Sequence, residues 1–110
     1  MTNTREHLAN FNIAGLTYYE ATQCFENLKI GTKLQLKVEQ DNKFDARAVA
    51  IYFDEHKLGF VPKSENRIFY KLLIMGYNTI FEASIQQIDP TEHPECQIRV
   101  VIHLLKNKDL

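Results

Sequence analysis

The chain holds only two cysteines, Cys24 and Cys96, among 110 residues. That number makes neither a disulfide framework nor a metal signature, and a reduced cytoplasmic setting is the expectation. Positive charge is not in excess either. Thirteen Lys and Arg stand against fourteen Asp and Glu, a formal net charge of −1. A chain that coats many phosphates is normally strongly basic, so wrapping a duplex is excluded while a few local phosphate contacts are not. No apolar run approaches the ~20 residues of a membrane span. The N-terminal MTNTREHLANFN has no basic region followed by a long apolar stretch, which argues against a signal peptide. Glycine and proline are absent from LKVEQDNKFDARAVAIYF, residues 36–53, although six charged residues there interrupt two alternating apolar stretches. A plain hairpin turn normally uses those two residues. The connection is therefore built from Asp, Asn, Lys and Arg around one Phe, and this composition calls for a reason.

What is present is ordinary for one globular domain. A 45% hydrophobic content is enough for a single core. Strict alternation in TKLQLKV puts Leu34, Leu36 and Val38 on one face of a half-buried strand. NFNIAGL reads as an earlier strand through Phe11, Ile13 and Gly15. YYEATQCFENL places Ala21, Cys24, Phe25 and Leu28 at helical steps, with Gly31 as its stop. AVAIYF and KLGFVP, separated by DEH, form a hairpin that Pro62 ends. Ser64 is a candidate N-cap for a helix carrying Ile68, Phe69, Leu72, Leu73 and Met75 and closed by Gly76. IFEASIQQI and CQIRVVIHLL are two further strands, joined by the loop DPTEHPE.

This element order predicts a mainly β chain. The expected architecture is a small, OB-like, partly open six-stranded barrel, with a short helix after strand 1 and a longer helix between strands 4 and 5. An SH3-like barrel or a two-layer sheet with helices gives a similar string. Residues 1–9 read as an N-terminal extension, 10–105 as the domain and 106–110 as a tail.

Three stretches together resemble one known family. GLTYYEA at 15–21, DNKFDARAVAI at 41–51 and KLGFVPKSENRIFYKLLIMG at 57–76 are similar, in order and spacing, to the HIRAN domain, over roughly residues 10 to 104. The resemblance implies an OB-like barrel that binds single-stranded DNA at a free 3′ end, and the chain looks like one of the family's short stand-alone bacterial members. Onto this chain it carries the paired tyrosines Tyr18 and Tyr19, the core Asn42, Phe44 and Asp45, the aromatic Phe60 and the basic Lys63. Two positions depart from the DNA-binding eukaryotic members: Thr17 stands where they carry Arg, and Phe44 where Tyr is frequent.

The residue types suit that chemistry independently of the family. Nucleobases stack on aromatic faces for about 1–3 kcal/mol each, and Tyr18, Tyr19, Phe44 and Phe60 offer such faces. A carboxylate accepts from a hydroxyl and repels a phosphate, so Asp45 suits a terminal sugar hydroxyl. Asn42 can donate and accept at a base edge, while Lys63 and Arg47 are candidate phosphate contacts. Structural alternatives stand beside each: an Asx turn at Asp41–Asn42, Phe44 as a barrel plug, Asp45 paired with Arg47, a tyrosine stapling the helix start. Enzyme readings are weaker. Cys24 falls in an apolar stripe, His93, Cys96 and His103 lack a fourth ligand, and the acids Glu39, Asp41, Asp45, Asp54 and Glu55 have no nuclease spacing. The expectation is a non-catalytic module without cofactor or metal, binding single-stranded DNA ends in repair or replication. Its alternative is a protein-interaction domain of the same fold that has lost DNA binding.

Overall fold

The computed structural model describes residues 4–16 and 19–106. Six antiparallel strands form one sheet: β1 (Arg5–Asn12), β2 (Lys33–Val38), β3 (Val49–Phe53), β4 (His56–Phe60), β5 (Phe81–Ile88) and β6 (Ile98–Leu105), in the order β1-β6-β5-β2-β3-β4. Two short helices interrupt them, α1 (Ala21–Cys24), continued by a 3-10 turn over Phe25–Asn27, and α2 (Arg67–Ile74). None of the described helices is long and apolar enough to cross a membrane.

The sheet is not closed, but its two edges are drawn together beyond the end of β1. Ile13 donates to the Ile98 carbonyl, and Ala14 exchanges both backbone bonds with Phe60, each at 2.9 Å. That close approach explains Gly59: a Cβ there would collide with the Ala14 carbonyl oxygen and the Ile13 side chain. The alternation in β2 and β3 sends Leu34, Val49 and Ile51 into a core shared with Leu58, Ile85, Val100 and Ile102, while Leu36 and Val38 are half-buried. Pairing of β2 with β5 covers only Lys33–Ser84 and Leu34–Ala83, so the two strands splay apart beyond Leu34.

Three elements differ from what the sequence predicts. The first strand lies earlier than the Phe11–Gly15 alternation suggests, and Arg5–Ala9, within the segment read as an extension, forms its first part. Its exposed start, Arg5, Glu6 and His7, carries no apolar face because it is a sheet edge. The first helix is a single turn rather than the whole of YYEATQCFENL, although Ala21, Cys24 and Leu28 are buried as its periodicity requires. The second helix starts at Arg67, not at Ser64, because Pro62–Glu65 is occupied by a turn closed from the Glu65 N–H to the Pro62 carbonyl. Only a narrow ridge of this two-turn helix reaches the core. Phe69 packs edge to face on Phe11 and Phe81 with Leu73 beside it, whereas Ile68 and Met75 are exposed. Gly76, at φ 91°, ends the helix as expected: its N–H reaches Leu73 and the next N–H reaches Leu72.

Candidate nucleic-acid interface

The charged connection between β2 and β3 is ordered by its own short polar side chains. Asn42 Oδ1 accepts from the backbone N–H groups of Phe44 and Asp45, at 2.8 and 2.9 Å. Asp45 Oδ1 accepts from the Arg47 N–H at 2.9 Å. Two consecutive side-chain turns thus replace the glycine and proline that the segment lacks. The Asx-turn alternative for Asn42 is what the geometry shows, and its amide nitrogen is also engaged, donating to Glu39 Oε1 at 3.1 Å.

Three further bonds fasten the loop to the rest of the fold. Asn66, 2% exposed, donates from Nδ2 to Asp45 Oδ2 at 2.8 Å. Asn66 occupies the N-cap position of α2 yet makes no side-chain cap bond, because its amide is turned to Asp45 instead. Lys63 donates to the Phe44 carbonyl at 3.2 Å, and Lys57 donates to Glu39 at 2.6 Å. The Asp45 carboxylate is thereby held at both oxygens by a neutral amide and a backbone N–H. A carboxylate accepts about four hydrogen bonds, so each oxygen retains capacity for another donor.

The loop closes one side of a cavity of about 210 Å³. Tyr19, Asn42, Phe44, Asp45, Phe60 and Lys63 all line it, with Ala14, Gly15 and Val61 completing its wall. The bridge between Ala14 and Phe60 is what sets the two aromatic neighbours Tyr19 and Phe60 opposite the loop, and their rings meet edge to face at 5.4 Å. Phe44 is 88% exposed at the loop tip, so it does not plug the barrel. Its large ring is held out in solvent on a backbone pinned at both its N–H and its C=O.

Six of the eight sequence-predicted residues therefore meet in one place. Arg47 does not line the cavity, and its link to Asp45 runs through its backbone N–H rather than an ion pair. Tyr18 and Thr17 lie outside the described residues. Asn66, Glu39 and Lys57 do not line the cavity but fasten its loop, a role that sequence reasoning gave to none of them. Asn66 sits in a string that reads as helix capping, and only its burial identifies it. Of the enzyme candidates, Cys24 is 2% exposed, and burial, with the carboxylates of Glu20 and Asp54 nearby, pushes its thiol up, away from the thiolate a nucleophile needs.

The family model described as "HIRAN domain" matches residues 7–104, nearly the whole chain. No curated protein matches significantly. The fold is similar to the crystal structure of a protein from Lactobacillus plantarum, solved as a structural genomics target. The TM-score is 0.78 and the identity 18%, covering 94% of this chain and 97% of that one.

Proposed function

The chain belongs to the HIRAN domain family, a family of DNA-binding domains, and from that premise we propose that it is a non-catalytic module that receives the 3′-hydroxyl end of single-stranded DNA in the cavity between Asp45, Phe44 and Phe60. An OB-like description of its curled, single-bridge sheet accords with that role. The observation that carries the reading is the state of Asp45. Its carboxylate is fixed in direction by Asn66 and the Arg47 N–H, borders the cavity and has unused acceptor capacity. Beside it, Phe44 and Phe60 supply stacking surfaces and Lys63 supplies the one cation among the described cavity-lining residues. A terminal base stacked there brings its sugar hydroxyl toward the acid, and the last phosphate toward Lys63.

The test compares matched oligonucleotides ending in a 3′-hydroxyl or a 3′-phosphate, at one salt concentration, on the unmutated protein and on Asp45→Asn. A hydrogen bond to a charged acceptor is worth about 1.5–3 kcal/mol, so the hydroxyl end binds roughly ten-fold or more tightly than the phosphate end, which meets like charge. In Asp45→Asn the hydroxyl end weakens, the phosphate end gains, and the discrimination narrows from both sides. Equal affinity of the unmutated protein for the two ends defeats end recognition. No binding of either favours the protein-interaction alternative, the reading that the net charge of −1 supports.

A further inference from the structure

Tyr19 and Phe60 share a cation that does not itself line the cavity. The Lys57 ammonium lies in the angle between the two rings, 4.6 Å from the Tyr19 centroid and 4.5 Å from that of Phe60. Its side chain is only 17% exposed, and Lys57 is not among the cavity-lining residues. Glu39 anchors it from the other side at 2.6 Å, and the second oxygen of Glu39 holds the Asn42 amide that shapes the loop. A lysine with a free choice would keep its head in water. This one is held against two aromatic rings by a carboxylate behind it.

An aromatic face carries negative potential and attracts a cation. The attraction is mutual, because a cation at one face draws π density toward itself and leaves the ring poorer on the side turned away. A ring depleted in this way stacks best on an electron-rich partner. Among nucleobases the fused two-ring purines are more electron-rich than the pyrimidines and also cover more area. We propose that Lys57 is a specificity-determining residue that acts through Tyr19 and Phe60, biasing the cavity toward a purine as the terminal base. The inference rests on the single-stranded DNA reading of the cavity. It assigns Lys57 no contact with DNA.

The experiment uses the full chain and four 3′-hydroxyl oligonucleotides that differ only in the last base, titrated against the unmutated protein, Lys57→Met, Lys57→Arg and Glu39→Gln. The unmutated protein binds purine ends more tightly. Lys57→Met keeps the side-chain length and removes the charge, and it lowers the purine-to-pyrimidine affinity ratio by about two-fold, a fraction of the roughly 1–3 kcal/mol of one base stack. The salt dependence of its binding stays that of the unmutated protein, since no phosphate contact is lost. Lys57→Arg restores the ratio. Glu39→Gln removes the carboxylate that holds the ammonium against the rings while its amide oxygen can still accept from Asn42, and it lowers the ratio part of the way toward that of Lys57→Met, which tests the idea even if Lys57→Met does not fold. Weakening of all four ends by the same factor in Lys57→Met means that the lysine only supports the rings, and it overturns the proposal, as does an unchanged or higher ratio in Glu39→Gln. Failure of the unmutated protein to bind any of the four overturns the DNA reading as well, so the two failures are distinct.

Discussion

The loop between β2 and β3 and the loop between β5 and β6 are made of the same parts. Both are polar, both turn on an Asp whose carboxylate accepts a backbone N–H two residues on, and both are solvated along most of their length. In the β5–β6 loop, Asp89 holds Thr91 through its N–H and its hydroxyl, the His93 ring accepts from the Glu95 N–H, and Gln97 donates to the carbonyls of Pro90 and Glu92. Each of these bonds stays within residues 89–97. The β2–β3 loop instead spends its second carboxylate oxygen on Asn66, a buried residue 21 positions away, and receives Lys57 and Lys63 from β4 and the turn that follows it. A loop that bonds only to itself keeps its own shape. A loop bonded to three distant residues has its shape imposed relative to the rest of the fold, and that is what a binding wall requires.

The strongest way to break this contrast is to cut the one buried tie. Asn66→Ala removes the neutral donor facing Asp45 and leaves a half-buried carboxylate oxygen without its partner, a loss of about 2 kcal/mol. Urea denaturation measures it. Amide exchange then accelerates at Phe44, Asp45 and Arg47 while the β5–β6 loop is unaffected. A smaller effect sharpens the functional side of the contrast. Lys63→Ala weakens oligonucleotide binding about three-fold to five-fold, uniformly across sequences, and flattens the log–log salt slope by about 0.7, the value of one single-strand phosphate contact. An unchanged slope means that the strand lies elsewhere. The smallest effect belongs to the self-contained loop. Thr91→Ala changes stability by no more than about 0.5 kcal/mol and leaves binding unaltered. It does have a local signature. The Thr91 hydroxyl and then its N–H hold the Asp89 carboxyl below the usual carboxylate range. A group whose pKa is lower folded than unfolded favours the fold above its unfolded pKa and loses that contribution as pH falls through the folded value. Removing the hydroxyl moves the Asp89 titration, followed by carboxyl NMR, upward toward the ordinary range.

How much of this was legible in the sequence follows from where each signal resides. Leu34, Val49, Ile51, Val100 and Ile102 announce themselves by alternation, because a half-buried strand imposes that period on its own residues. The hairpin at Asp54–Glu55 and the stop at Gly76 are equally local. The start of β1 was not legible, since an edge strand opening on Arg5, Glu6 and His7 has no apolar face to betray it. The cavity-lining residues were legible through family resemblance, and the structure brings Tyr19, Asn42, Phe44, Asp45, Phe60 and Lys63 together. Asn66 and Lys57 were not. Each looks like a common residue in a common place, and each takes its role from a partner that only the tertiary fold supplies.

Pairing of β1 with β6 sets a schedule for making this molecule. Arg5 stands opposite Leu105, and Phe11 opposite Val100, so the first strand is built on the last. On the ribosome, β1 is finished about ninety residues before β6, its ladder partner among the described strands, is complete, a wait of roughly 5–20 seconds at ordinary elongation rates. β6 is also the strand that joins β1 to β5. The early chain therefore emerges with Phe11 and Ile13 uncovered, and before β6 arrives β4, at Gly59, and α2, at Phe69, offer them packing partners. The sheet is completed in a late step, when β6 arrives and joins β1 to β5.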